Sequence, residues 1–368
     1  MRKSVLSVVA IGVVAAVAIS ACSSSKSKTS TSGSGGGGSG KPVVGVILPD
    51  TTTSNRYTLY DQPLLQAAFD AAGVKATIQN AHGSASTFVA DAQSMITQGV
   101  KVLLIDPADP ATGISVEQQA KAANVKVIDY DRVNLGGSAD YYVSFDNEKV
   151  GELQGQGLLD CLTAAGHGTN PNIIQLNGGT DIDNNAVLFK AGAHKILDAK
   201  GVKPKVEVDV KGWDNTVAAT DFQQAFTQDP SVQGVLAAND GIAAAAISTL
   251  KQHNLKIPVT GQDATVQGIQ YILSGDQCLT IFKNVKDEAA AASKLAIALA
   301  TGKDPASAGL TFQSFQDPKG NRTLQAVLLT PEVITKDKVK DVISAGALTA
   351  AQICTGAYAA DCTAAGIS

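Results

Sequence analysis

From residue 43 onward, short runs of β-branched and other apolar residues alternate with longer Ala-rich stretches. The runs at 43–48, 77–79, 102–105 and 125–129 are almost continuously apolar, as strands of a parallel sheet covered on both faces must be. Between them, 61–72, 87–98 and 114–123 carry apolar residues at helical spacing, closed by Gly73, Gly99 and Asn124. Strand and helix in alternation predict right-handed crossovers and a doubly wound sheet. A helix over 147–162 opens a second series, with strands at 173–176, 206–210, 235–238, 259–261 and 279–282. Helices at 185–197, 217–226, 242–253 and 266–273 separate these strands, and an Ala-rich helix at 286–300 follows. The pattern therefore predicts two α/β lobes. Ligands of such sheets bind beyond the carboxyl ends of the strands, which places a site in the cleft between the lobes.

The first 40 residues do not fit this pattern. Arg2 and Lys3 precede an almost wholly apolar stretch, 5–19, which runs into Ile19-Ser20-Ala21-Cys22. A basic start, an apolar run and small residues describe an export signal. The cysteine directly after them resembles a bacterial lipoprotein leader, cut before Cys22, whose thiol would carry a diacylglycerol. The other reading is an uncleaved transmembrane anchor. Residues 23–40 contain only Ser, Gly, Thr and two Lys, a flexible coil with a reach of about 24 Å. Residues 1–21 thus read as a leader and 22–40 as a lipidated tether, with the body exported and anchored to the outer face of the cytoplasmic membrane. Gly35 to Lys41 imitates a phosphate-binding loop, but Pro42 follows and no strand or helix flanks it.

Composition narrows the functional classes. The 368 residues carry 29 basic and 33 acidic side chains, a net charge of −4, without the basic surplus of a nucleic-acid binder. With 44% hydrophobic and 17% charged residues, the body is neither a disordered chain nor a multi-span membrane protein.

Polar residues gather at the predicted strand ends. The strand at 125–129 runs into Asp131-Arg132, 235–238 into Asn239-Asp240, 259–261 into Gln262-Asp263, and 279–282 into Lys283. The first strand leads to Asp50, Asn55, Arg56 and Tyr57, and the sole tryptophan, Trp213, follows the strand ending at 210. Carboxylates accept from hydroxyls, Arg and Lys donate to them, and Asn does both. An indole can cover the apolar face of a sugar ring. Each residue alone could be a helix N-cap or a solvated loop residue. Their common placement across both lobes points to a neutral, hydroxyl-rich ligand.

Several segments are familiar as they stand: Ile128-Asp-Tyr-Asp-Arg132, Val143-Ser-Phe-Asp-Asn-Glu-Lys-Val-Gly-Glu-Leu-Gln154 and Asp183-Asn-Asn-Ala-Val-Leu-Phe-Lys-Ala-Gly192. Gly212-Trp213, Ala238-Asn-Asp240, Gly261-Gln-Asp-Ala264, Ile281-Phe-Lys283 and Leu329-Thr-Pro-Glu332 follow in order. Together, over residues 43 to about 345, they resemble the xylose-binding branch of the type I periplasmic binding proteins, the receptors of sugar ABC transporters. The resemblance implies two Rossmann-like lobes joined by three hinge crossovers, near 141–145, Asn284 and 312–316. Residues 41–142 plus 285–312 would form the N-terminal lobe and 143–284 plus 313–345 the C-terminal lobe, with 346–368 as an extension beyond the resemblance. It further implies that a monosaccharide, D-xylose foremost, is captured by hinge closure and delivered to an ABC permease by a monomeric receptor. Glucose, arabinose or ribose are the alternative ligands, and a sugar sensor docking on a receptor kinase is the alternative role. Arg56, Tyr57, Asp131 and Arg132 would contribute from the first lobe, and Asn184 or Asn185, Trp213, Asn239, Asp263 and Lys283 from the second. Tyr57 stands where members often carry Trp.

Beyond Cys22, four cysteines remain, an even number suited to an exported protein. Cys354 and Cys362 bracket a short loop and form one candidate bridge. Cys161 and Cys278 form a second bridge or remain buried thiols. His82, His167, His194 and His253 lack metal spacing. Asp181-x-Asp183-x-Asn185 opens like a calcium loop, but Ala186 and Gly192 occupy the positions that require Gly and Glu. With no nucleotide loop, hydrolase elbow or cofactor motif, the sequence predicts a binding protein without cofactor or metal rather than an enzyme.

Overall fold

A computed structural model describes residues 43–51, 54 and 56–367. The leader, Cys22, the tether and Asn55 lie outside the described residues. The first sheet begins with β1 (Val44–Leu48), β2 (Ala76–Asn80), β3 (Val102–Ile105), β4 (Lys126–Tyr130) and β5 (Tyr141–Phe145), linked in turn through α1 (Gln62–Ala71), α2 (Ala85–Gln98) and α3 (Pro110–Ala122) up to β4. Their β-branched and aliphatic side chains fill both faces. Val44, Val46 and Leu48 pack with Leu65 and Phe69 of α1, while Ile47 and Leu103 pack with Phe88 of α2 and Val116 of α3.

The chain then leaves this sheet. It continues through α4 (Asn147–Ala164), β6 (Ile173–Asn177), α5 (Asn184–Ala199), β7 (Val206–Asp209), α6 (Asn215–Gln228), β8 (Gly234–Ala237), α7 (Asp240–Gln252), α8 (Val266–Ser274) and β9 (Thr280–Phe282). The order β7-β6-β8 is parallel, and single bridges from Val235 to Val259 and from Gln262 to Ile281 carry it towards β9. The predicted strand at 259–261 is thus one bridge rather than a strand. The two α/β lobes of the sequence pattern are present.

α9 (Val285–Ala300) returns to the first lobe, where Ala289, Ala292 and Leu295 join the core beneath β1. β10 (Gln313–Asp317) and β11 (Arg322–Leu329) form an antiparallel hairpin, and β11 lies parallel to β5, which gives the order β10-β11-β5-β4-β3-β1-β2. This corrects the expectation of a crossing at 312–316 and of residues 313–329 in the second lobe. The hairpin is held by ladder bonds to the edge of the first sheet, and so is β5. The third passage comes after Leu329, where β12 (Glu332–Ile334) pairs antiparallel with β9.

The short helices α10 (Val339–Ser344), α11 (Ala350–Ile353) and α12 (Ala359–Ala364) end the chain. Their Val339, Val342, Ile353 and Cys362 bury against Ile269, Ile272 and Leu273 of α8, so the extension is a fitted layer of the second lobe. Tyr60, from the first lobe, also packs against this cluster. Cys354 is bonded to Cys362 and Cys161 to Cys278.

The tightest helix contact lies just beyond the first passage. A Cβ on Gly151 of α4 would overlap the carbonyl oxygen of Phe189, and one on Gly192 of α5 would overlap that of Glu148. The two backbones therefore touch, which fixes the start of α5 against that of α4. Gly151→Ala should lower the unfolding free energy by about 1–3 kcal/mol through overpacking, as read by urea denaturation followed by circular dichroism.

Candidate functional site

The polar strand ends converge. Arg56 leads into a single π-helical turn, Tyr57–Asp61, that feeds α1. Such turns recur at functional positions. Asp131 and Arg132 follow β4, Asp183 and Asn185 start α5, Trp213 ends a short turn after β7, and Asn239 caps α7. Arg56, Tyr57, Asp131, Arg132, Asn185, Trp213, Asn239, Asp263 and Lys283 line one cavity between the lobes, of about 40 Å³. Of the sequence candidates, Asn184 is not in its lining. Asp183, Phe189, Gln262 and Ser54 join it. Helix capping and site membership coexist, because Asn239 Oδ1 accepts from the Ile242 N–H at 2.9 Å while the residue also lines the cavity.

Three lining residues hold unfavourable backbone conformations: Asp131 at φ 60°, Trp213 at φ 59° and Asp263 at φ 99°. Such conformations cost about 1–3 kcal/mol each and persist where the surroundings over-determine them. At Asp131 the surroundings are explicit. Its carboxylate accepts from Arg56 at 3.3 Å and from the Tyr57 hydroxyl at 3.0 Å, with Lys283 Nζ at 3.9 Å. Burial alone would push this carboxyl up, yet Arg56, Lys283, Arg132 and the Tyr57 hydroxyl outweigh it and hold the pKa at about 2. Asp131 is therefore ionised throughout the neutral range.

Arg56 is itself fixed by two carboxylates that no sequence motif announced. Its guanidinium donates to Asp61 at 2.7 and 2.9 Å and to Glu288 of α9 at 2.5 Å. Asp61 also accepts from the Tyr130 hydroxyl. The guanidinium carbons of Arg56 and Arg132 lie over the Tyr57 ring, 5.4 and 6.0 Å from its centroid. Two cations thus cover this ring, and Tyr57 addresses Asp131 through its hydroxyl.

The second lobe closes the ring of contacts. Arg132 Nε stands 3.4 Å from Asp183 Oδ2 and 3.8 Å from Asp106 Oδ1. Burial drives the Asp106 carboxyl well above the usual range, against the pull of Arg132. Asp106 directly follows β3 as Asp131 follows β4, so it carries the same strand-end signal. Asp183 Oδ2 accepts from the Trp213 indole N–H at 3.1 Å. The indole lies so close to Gly178 and Gly179 that a Cβ on either would collide with it. Phe189 meets it edge-on, with centroids 6.3 Å apart. Lys283 Nζ lies 5.4 Å from the Phe189 ring and 5.9 Å from that of Phe145. Asn185 donates to the Asp131 carbonyl at 2.9 Å and accepts from Asn147 at 2.9 Å, which ties the lobes beside the first passage.

A two-lobed α/β body whose strand ends from both halves enclose one cavity, lined with fixed charges and one apolar corner, has the architecture of a small-ligand-binding protein. A sequence profile described as periplasmic binding protein domain matches residues 44–304, and the chain belongs to that family. It is 33% identical to the D-xylose-binding periplasmic protein of Escherichia coli (strain K12), over 77% of this chain and 84% of that one. It is also 33% identical to a multiple sugar-binding periplasmic protein of Azospirillum brasilense, over 85% of this chain and 91% of its relative. A carbohydrate transporter solute-binding protein from Chloroflexus aurantiacus, in complex with D-glucose, superposes with a TM-score of 0.74 at 28% identity, covering 84% of this chain and 98% of that chain.

The Arg56 cradle predicts a pH dependence. Burial raises the Glu288 carboxyl from 4.5 to about 8, against the pull of Arg56 and with the help of Asp131 and Asp61. A raised folded-state pKa contributes stability that is complete below the unfolded value and is lost as pH climbs through the folded one. Between pH 5 and pH 9 the native chain should therefore lose more stability than Glu288→Gln, as read by urea midpoints at each pH. Parallel profiles would show that Glu288 does not titrate in this window.

Proposed function

We propose that this protein is an extracytoplasmic receptor for a free monosaccharide, D-xylose foremost, which it captures between its lobes and delivers to an ABC permease. The observation that carries the reading is the convergence, from both lobes, of Arg56, Asp131, Arg132, Asp183, Asn239, Asp263 and Lys283 beside the Trp213–Phe189 corner. Ionised donors and acceptors make the stronger hydrogen bonds to hydroxyls, about 1.5–3 kcal/mol each. The indole and phenyl edges suit the C–H face of a pyranose. The names of the relatives support a sugar, and those of the E. coli and Azospirillum proteins favour D-xylose with room for other aldoses. None of the groups in the cavity is arranged around a nucleophile, and we read the protein as a binder rather than an enzyme.

Capture then follows from geometry. The cavity of about 40 Å³ is far below the range of about 300–1,000 Å³ typical of small-molecule sites, so a sugar requires the lobes to part. In the parted form Arg56, Tyr57, Asp131 and Arg132 present one half-site and Asp183, Asn185, Trp213, Asn239, Asp263 and Lys283 the other. Sugar hydroxyls take the place of the direct interlobe pairs, and closure is favoured by the contacts that only the closed form makes. Lipidation at Cys22 and the Ser/Gly tether would hold the receptor at the outer face of the cytoplasmic membrane, within reach of the permease.

A calorimetric panel of D-xylose, D-glucose, L-arabinose and D-ribose should give saturable binding for at least one sugar, tightest for xylose. Asp131→Ala should weaken the best ligand by about 100-fold or more, since several charged hydrogen bonds lose their acceptor. Trp213→Ala should weaken it by about 10-fold with little loss of helicity. Unchanged affinity in Asp131→Ala would remove the sugar from this cavity.

A further inference from the structure

A second cavity, of about 660 Å³, adjoins the first and shares Ser54, Arg56, Asn239, Asp263 and Lys283 with it. Its volume falls within the range of about 300–1,000 Å³ typical of small-molecule sites. The first lobe supplies Leu59, Tyr60 and Leu64 to its wall, and the second supplies Val266, Phe282 and Leu348. Leu59 leaves 57% of its surface exposed, a rarity among the large apolar residues described. Asn215 and Gln267 offer amides at its margin. Apart from Lys286, its charged lining residues are the ones it shares with the inner cavity. A charged group would thus find few partners of its own here, whereas a neutral body with an apolar face and some hydroxyls would find both.

The outer wall is built by the C-terminal extension. Gly346, Ala347, Leu348 and Gln352 line the cavity, and the segment is held there by its burial on α8, by the Thr349–Gln352 capping box and by the Cys354–Cys362 bond. Tyr60 reaches the same cluster from the first lobe, so the wall spans both halves of the molecule.

We propose that this outer cavity is a second subsite. It receives the aglycone or second ring of a neutral glycoside whose first ring occupies the inner cavity, with the glycosidic oxygen passing between the side chains common to both. The inference rests on the sugar-receptor reading and widens it from free monosaccharides to short neutral glycosides. The extension acquires a task in selection, because it frames the space into which the substituent projects.

The test uses the full receptor with D-xylose, both anomers of methyl and phenyl D-xylopyranoside, and xylobiose, with the D-glucose counterparts in parallel. At least one phenyl glycoside or disaccharide is expected to bind about 10-fold more tightly than its free sugar, since an additional apolar ring is removed from water. Ala347→Trp, which fills the cavity, should abolish that gain and leave the affinity for the free sugar within about twofold. Because Ala347 belongs to the extension and packs on its buried cluster, where a Trp could disturb folding, Leu59→Trp at the exposed opposite wall serves as the independent blocking variant. If the free sugar binds while every glycoside is excluded, or if both Trp variants leave the glycoside gain intact, the subsite is overturned and the monosaccharide reading stands. Binding of no aldose at all would instead overturn the sugar reading, and this subsite with it.

Discussion

The arrangement of both lobes depends on one buried carboxylate. Asp131 is turned into a left-handed conformation, and each of its polar groups is engaged. Its N–H donates to the Val143 carbonyl at 2.9 Å, and its carbonyl accepts from Ser144 at 2.8 Å, from Tyr142 at 3.2 Å and from Asn185 at 2.9 Å. The carboxylate faces Arg56 and Tyr57 on one side and Lys283 on the other. An anion removed from water is tolerated only with such compensation. The π-turn that carries Arg56 and Tyr57, the cradle of Asp61 and Glu288 beneath Arg56, and the return of the chain at Lys283 are therefore parts of one electrostatic unit.

That unit is balanced rather than maximally stable. Arg132 and Asp183 face each other across the cleft at 3.4 Å with both side chains almost fully buried. Buried ion pairs gain little net free energy, because desolvation offsets most of the attraction. On the proposed function, such pairs would set the register of closure and yield to a ligand that satisfies the same groups. The backbone contact of α4 with α5 supplies the rigidity this exchange requires, since it fixes Asp183 and Asn185 relative to the first passage between the lobes.

Much of this was legible in the sequence, for reasons that also define where legibility ended. Strand ends carry polar residues in a parallel α/β protein only where something binds or a helix needs a cap. Asp131, Asn239, Asp263 and Lys283 therefore stood out, and Asp106 could have. Glu288 could not, because an acidic residue in the first turn of an Ala-rich helix reads equally well as a partner of the helix dipole. Asn184 and Asn185 are adjacent in sequence but about 100° apart around α5, so only the helix orientation separates the cavity residue from its neighbour. The third passage, placed at 312–316 by the resemblance, was misplaced, and nothing local could correct it: Gln313–Asp317 is polar but for Phe315, and such a pattern does not say which sheet owns the strand. The hairpin's allegiance lies in the pairing of β11 with β5, a contact between segments far apart in sequence.

The Cys161–Cys278 bond carries a mechanical consequence. It joins the last part of α4 to the residue before Leu279 and β9, and so closes a ring of sequence separation 117 around most of the second lobe. Tension applied to the chain on either side of that ring bypasses the β7-β6-β8 sheet and runs through the sulfur–sulfur link. Were the chain held at one end and pulled elsewhere, the lobe would behave as a stiff link, with strain concentrated in the short passages between the halves. In a reducing medium the load path would shift into the hydrogen-bonded sheet, and the same pull would stretch the lobe itself.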